Sequence, residues 1–279
     1  MKKMTKSNVD RFLRYLINEE KSACTQEKYR RDLSAFTTWL NGSTLDKAAV
    51  LAYKDYLIEH YAPASVNSIL SALNSFFTYY ERHDLRVKTL KIQRALFASK
   101  DRELSKEEYG RLLDAAKSKN NERLYLLMQT VCSTGIRVSE LRFITVEAVG
   151  RGMAEIRCKG KIRQVFLPRA LCAKLTAYSR KQKRTSGAVF VSRTGKPLDR
   201  CNIWAEMKKL CAAAGVSRQK VFPHNLRHLF ARTYYSLQKD IVRLADVLGH
   251  SHVDTTRIYT METGEIHKRQ IERLGLLRC

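Results

Sequence analysis

Residues 248–260 read LGHSHVDTTRIYT. Gly249 is a natural stop for a helix over 240–248, and His250 lies just beyond it. Ser251, with Asp254 three residues on, predicts the cap of a second helix that carries Tyr259 about two turns along. A phenol of ordinary pKa, about 10, is a poor nucleophile until nearby cations lower the cost of ionising it. No carboxylate cluster or cysteine accompanies the two histidines, so the stretch does not read as a metal site. It directs the search to cations elsewhere in the chain.

Two other stretches supply them. CSTGIRVSEL (132–141) places Arg137 after a glycine turn and at the start of a helix, with Glu140 at i+3 on the same face. A surface ion pair is the plain alternative. FPHNLRHLFA (222–231) opens on Pro223, which suits a first helical turn, and sets His224 and Arg227 three apart on one face. Donors at a helix start suit a phosphate, whose charge the free backbone N–H groups also favour; ordinary packing is the alternative. His228 reads as a packing or supporting residue.

Composition agrees with a polyanionic partner. The chain has 279 residues, 44% of them hydrophobic, and 52 Lys and Arg against 27 Asp and Glu, a net charge of +25. The excess, roughly +7 before residue 100 and roughly +18 after it, is no isolated basic tail. Such charge costs self-repulsion, and nucleic acid is the leading partner because each neutralised phosphate releases counterions. No apolar run is long enough for a membrane span, and MKKMTKSNVD lacks the core of a secretory signal, so a soluble cytoplasmic protein is expected. Seven scattered cysteines without a CxxC pair predict reduced, mostly buried thiols. There is no GxxxxGK[ST], no HExxH and no dense carboxylate group to hold magnesium ions. Phosphoryl chemistry here is left to protein cations, and neither a cofactor nor a metal is expected.

The first ninety residues read as four helices. Val9, Phe12, Leu13, Leu16 and Ile17 form the first apolar stripe; Thr25 is the expected N-cap of the second helix, and Asn41-Gly42 its stop. Pro63 separates the third helix from the fourth. One side of this bundle is polar and basic, as a DNA-facing surface or a plain solvated one would be. Residues 91–103 form a basic linker. LSKEEYGRLLDAA (104–116) opens a second unit, with Ser105 and Glu108 at capping-box spacing. EIRCKGKIRQVFLP (155–168) predicts a hairpin turning at Gly160, AVFVS (188–192) a further strand, and helices resume from about 202. The fold class is mainly α: a helical bundle over 1–90, then a mixed α+β domain over 104–279 with a small antiparallel sheet.

TGIRVSEL, CKGKIR, PHNLRH and LGHSHVDTTRIYT occur in the order and at the intervals of the tyrosine site-specific recombinases, and the chain most resembles their short Xer and integrase-type members. FLRYLINEEKSACTQEKYRRDLSAFTTWL (12–40) likewise resembles their core-binding domain. The resemblance implies that Tyr259 attacks a DNA phosphodiester to give a 3′-phosphotyrosine. Arg137 and Arg227 would clamp the phosphate, His224 move the phenol proton, His250 bond the phosphate, and Glu140 support Arg137. Lys159 would protonate the leaving 5′-oxygen, with Lys161 the alternative because the turn is shorter than the usual GKGxKxR form. It further implies double-stranded DNA with inverted half-sites, no ATP, and a tetramer on DNA joined through a C-terminal exchange helix bearing Ile266, Ile271, Leu274 and Leu277. An accessory DNA-bending or directionality protein is the remaining partner it allows. A catalytically silent DNA-binding regulator and a relaxing type IB topoisomerase are the competing functions.

Overall fold

The computed structural model of the chain describes residues 3–92, 102–158, 161–250, 252–259 and 272–273. It divides into two compact units, Met1–Arg94 and Ala95–Cys279.

The first unit contains α1 (Lys6–Asn18), α2 (Ala23–Leu40), α3 (Lys47–His60) and α4 (Pro63–Tyr79). Thr5 and Asn8 cap α1 reciprocally, satisfying backbone donors that a helix start leaves open. Val9, Phe12, Leu13 and Leu16 are buried as the stripe predicts, but Ile17 faces solvent at 57% exposure. Ser22, not Thr25, caps α2: its hydroxyl accepts from the Thr25 backbone N–H. Asn41 and Gly42 end α2 with positive φ, as expected. α4 runs through the middle of the bundle, burying Val66, Leu70, Leu73, Phe76 and Phe77. Its Asn67 and Asn74, seven residues apart and so on one face, strap down the chain that follows. Each side-chain amide exchanges two hydrogen bonds with one backbone residue, Asn67 with Leu90 and Asn74 with Val87, at 2.7–3.0 Å.

The second unit opens with α5 (Lys106–Ser118), which carries the expected capping box of Ser105 and Glu108. α6 (Glu122–Thr134) follows and stops at Gly135, whose φ of +67° suits glycine. A 3₁₀ turn over Val138–Phe143 leads to α7 (Val146–Arg151) and then to the hairpin, β1 (Met153–Cys158) and β2 (Lys161–Phe166). The strands are antiparallel, with Ile156 opposite Arg163. Ala154, Ile156 and Val165 turn inward to the core, whereas Ile162 and Phe166 on the outer face are exposed. The turn residues Lys159 and Gly160 lie outside the described residues, as does the side chain of Lys161.

α8 (Arg169–Lys181), α9 (Arg200–Lys208), α10 (Cys211–Ala214), α11 (Pro223–Gln238), α12 (Ile241–Leu248) and α13 (Val253–Thr256) complete the unit. The expected strand at 188–192 does not form. Only isolated bridges, Thr145 to Ala188 and Val191 to Pro197, occur there. Val189 and Phe190 are buried in the apolar core without a ladder, and proline has no N–H to extend one. The helix expected to carry Tyr259 is also shorter than predicted: α13 has four residues, and a 3₁₀ turn over Arg257–Tyr259 takes over. Its preceding residue is His252, without a side-chain cap bond, and Ser251 lies outside the described residues. Cys24, Cys132, Cys172, Cys201 and Cys211 are free, but Cys24 and Cys201 are exposed where mostly buried thiols were expected. The tail residues Ile266, Ile271, Leu274 and Leu277 and most of the 91–103 linker lie outside the described residues. No helix among the described residues is long and apolar enough to cross a membrane.

Candidate active site

Four short segments converge in the second unit: the turn after α6, β2, the first turns of α11, and the stretch from the end of α12 through Tyr259. Their meeting point is Arg227, whose side chain is 1% exposed. It enters from α11, which packs against both α6 and α12. Its Nη1 donates to the Gly135 carbonyl at 2.5 Å, and its Nη2 reaches the Leu248 carbonyl at 2.8 Å and His250 Nε2 at 2.9 Å. These partners are carbonyls and an imidazole. Burial, then Arg137, lower the guanidinium pKa to about 10, so the buried cation favours an added anion.

Arg137 sits at the start of the 3₁₀ turn rather than of an α-helix. Glu140, 2% exposed, holds it twice: Oε2 accepts the Arg137 backbone N–H at 2.7 Å and Oε1 accepts Nη1 at 3.1 Å. The pair is therefore no simple surface bridge. The carboxylate is buried while Arg137 keeps 39% of its side chain exposed toward a pocket of about 600 Å³. Ile136, Pro223, His224, Arg200 and Trp204 complete much of that lining.

His250 lies beside Arg227, and its Nδ1 is 2.8 Å from the Thr256 hydroxyl. Since Nε2 faces a guanidinium donor, the network assigns the proton to Nδ1 and a neutral ring. Burial first, then Arg227 and Arg137, push its pKa down to about 4. His224, on the first turn of α11, is lowered by burial and then by Arg227, Arg137 and Arg200.

Tyr259 is 4% exposed and packs with Ala231, Leu244 and Leu248. Its ring stacks near His250 at 6.0 Å and meets His228 edge-on at 4.7 Å; His228 in turn meets His224 at 4.6 Å. Arg227 is within electrostatic reach of the phenol. Arg137, Glu140, His224, Arg227, His250 and Tyr259 are thus brought together, while Lys159 lies outside the described residues.

His228, read as a packing or supporting residue, stands between His224 and the Tyr259 ring, and burial followed by His224 lowers its pKa to about 3. Two contributors escaped the sequence reading. Thr256 holds His250. Arg163 binds Glu140 at 2.6 Å. Arg163 had a legible signal: it is an arginine on the inward face of a strand whose next inward residue is Val165. Among the described residues no group of three His, Cys, Asp or Glu side chains could hold a metal ion.

Fold and site together place two arginines, three histidines and a tyrosine in one cluster of a mainly helical unit with a small hairpin. Residues 102–265 match the phage integrase family, and residues 9–84 match the phage integrase N-terminal SAM-like domain. Tyrosine recombinase XerA of Pyrococcus furiosus is 31% identical over 96% of this chain and 94% of its own length. XerC of Roseiflexus castenholzii is 31% identical over 90% and 88%. Among solved structures, a XerA recombinase (26% identical) covers 99% of this chain and 100% of its own at a TM-score of 0.54. A lambda integrase dimer bound to a core site matches the fold at a TM-score of 0.75, with 20% identity over 93% and 96%. The chain belongs to the phage integrase family, the tyrosine site-specific recombinases. It is an enzyme of DNA strand breakage and rejoining, and neither the silent regulator nor the relaxing topoisomerase is favoured.

Proposed function

We propose that this recombinase exchanges strands at two inverted half-sites through a covalent link to Tyr259. The observation that carries the reading is the convergence on Arg227: a buried guanidinium seated on two backbone carbonyls, with Arg137, His250 and the Tyr259 phenol close to it. Arg137 and Arg227 bind the non-bridging oxygens and stabilise the charge that builds on phosphorus. His224 takes the phenol proton; the phenolate oxygen bonds to phosphorus, and the bond from phosphorus to the 5′-oxygen breaks. Lys159 in the hairpin turn supplies a proton to that oxygen, with Lys161 the alternative. His250 donates to the phosphate from Nε2, which requires the proton there and so the other neutral tautomer, with Nδ1 accepting from the Thr256 hydroxyl. Glu140 keeps Arg137 aimed at the pocket.

One phosphodiester is exchanged for another, so a 5′-hydroxyl from a second strand can reverse the attack without ATP. The helical unit over 1–90 binds the core DNA, 91–103 links it to the catalytic unit over 104–279, and the tail docks in a neighbouring subunit to close a tetramer. The DNA-bound dimer and tetramer of the lambda integrase, which share this fold, support that assembly. The enzyme acts in the cytoplasm.

Covalent trapping tests the reading. Wild type and Tyr259→Phe are incubated with host DNA in EDTA, denatured, and the attached DNA sequenced. Adducts with wild type only, clustered at one inverted repeat, are expected; an adduct formed by Tyr259→Phe would remove the tyrosine from its role.

A further inference from the structure

Beside the face of α11 that carries His224 and His228 lies a second polar face. Asn225 and Arg232 are seven residues apart, close to two full turns, and so share it. Asn225 is 2% exposed, and its amide has two N–H donors. Both are used: Nδ2 donates to the carbonyl of Arg102 and to that of Lys220, each at 2.7 Å. Two turns on, Arg232 Nη2 donates to the Leu104 carbonyl at 2.7 Å, and its Nη1 lies 3.0 Å from the Glu103 carboxylate. Three consecutive residues, Arg102, Glu103 and Leu104, are thus held by two side chains of one helix, across 123 and 128 positions of sequence.

The held segment is itself fixed to the rest of the unit. The Leu104 side chain is buried in the apolar core. Glu108, in the first turn of α5, accepts from Lys220 at 2.9 Å, and Arg111 donates to the Ala214 carbonyl at 2.9 Å. The chain ahead of α5 therefore forms a backstop along α11.

Direction separates this backstop from ordinary packing. Apolar contacts are non-directional and leave a helix some freedom to roll and slide. Hydrogen bonds prefer near-linear geometry, and two of them set two turns apart on one helix restrict both motions. Arg232 also stands one turn after His228 and contributes to lowering its pKa, so the charge on this face is felt on the neighbouring one.

We propose that Asn225 and Arg232 are positioning residues: by latching Arg102–Leu104 to α11 they fix the roll and depth at which that helix presents His224 and Arg227 to the scissile phosphate. The latch rests on the roles proposed above for those two residues.

The probe is a nicked duplex of the sequence recovered by covalent trapping. Two quantities are measured: the rate of adduct formation at saturating protein, and the protein concentration that half-saturates it. Wild type, Asn225→Ala, Arg232→Met, the double variant and Arg227→Lys are compared, each below its own melting temperature. Misplacement of about 1 Å can cost about 100-fold, so each latch variant should lose about tenfold or more in saturating rate, with half-saturation within about threefold. Because both side chains act on one segment, the double variant should fall no more than about threefold below the slower single one. Saturating rates within about tenfold of wild type for both single variants would overturn the latch. So would a loss that appears in half-saturation instead, or losses that multiply in the double variant. If Asn225→Ala does not stay folded, Arg232→Met decides through rate and half-saturation, since the partly exposed Arg232 can lose its head while the stem still packs. Arg227→Lys separates the latch from the clamp. Wild-type cleavage by that variant would remove the clamp and the latch together, whereas slow cleavage by it beside normal latch variants would remove the latch alone.

Discussion

At the scale of single residues, the site concentrates positive charge in a buried setting. Arg227 is buried among carbonyls, and three histidines close to it have lowered pKa values, His228 to about 3 and His250 to about 4. In each case burial is the largest cause, because a low-dielectric setting disfavours the charged ring, and neighbouring cations add to it. Unfolded histidines bind protons below about pH 6.5, while the folded His228 and His250 rings stay neutral until well below that. Acid therefore favours the unfolded chain: the histidine contribution is fully present above about pH 6.5 and declines as pH falls toward 4 and below. The melting temperature of the DNA-free protein should drop over that window. His228→Phe, which keeps an aromatic ring against Tyr259, should flatten the drop; an unchanged slope would show that His228 does not titrate as a buried neutral ring.

At the scale of elements, the site depends on how chain ends are stopped. α6 ends at Gly135 so that its carbonyl can accept from Arg227, and α12 ends at Gly249 so that Arg163 can lie against the backbone. Gly135 has a second constraint, since a Cβ there would collide with the Phe230 ring on α11. Gly135→Ala should therefore cost about 2 kcal/mol or more, combining left-handed strain with overpacking. Chemical denaturation measures that cost directly; a loss under about 0.5 kcal/mol would mean that α6 and α11 separate easily. Caps and breaks of this kind were legible in advance, including the capping box of Ser105 and Glu108 and the stop at Asn41-Gly42. The choice of Ser22 over Thr25 was not, because two hydroxyls three residues apart offer equal local caps. The strand expected at 188–192 failed for a different reason. An apolar run states only that its residues will be buried, and whether a partner strand stands beside it is a tertiary matter.

For the whole molecule, charge is the governing quantity. A net charge of +25 in folded sequence makes phosphate contacts the dominant source of affinity, and their counterion release makes binding depend on salt. With about six phosphates neutralised, half-site affinity should fall about 1000-fold between about 50 and about 200 mM salt. Fluorescence anisotropy of a labelled half-site gives the slope; a fall of under about tenfold would show that most of the basic residues face away from the DNA.

The sequence by itself determined the mainly helical class and the hairpin, through local rules of helical period, strand alternation and glycine and proline stops; the order of the four site segments and six of the residues that meet there were legible through the resemblance to the tyrosine recombinases. The tertiary structure alone decided which of those residues touch. The bond from Arg227 to Gly135 spans 92 positions, and Arg163 and Glu140 are 23 apart. The neutral histidines, the place of His228 between His224 and Tyr259, and the sharing of Glu140 by two arginines have the same origin. Each arises where helices and hairpin pack around a common core, and no spacing along the chain encodes a distance across it.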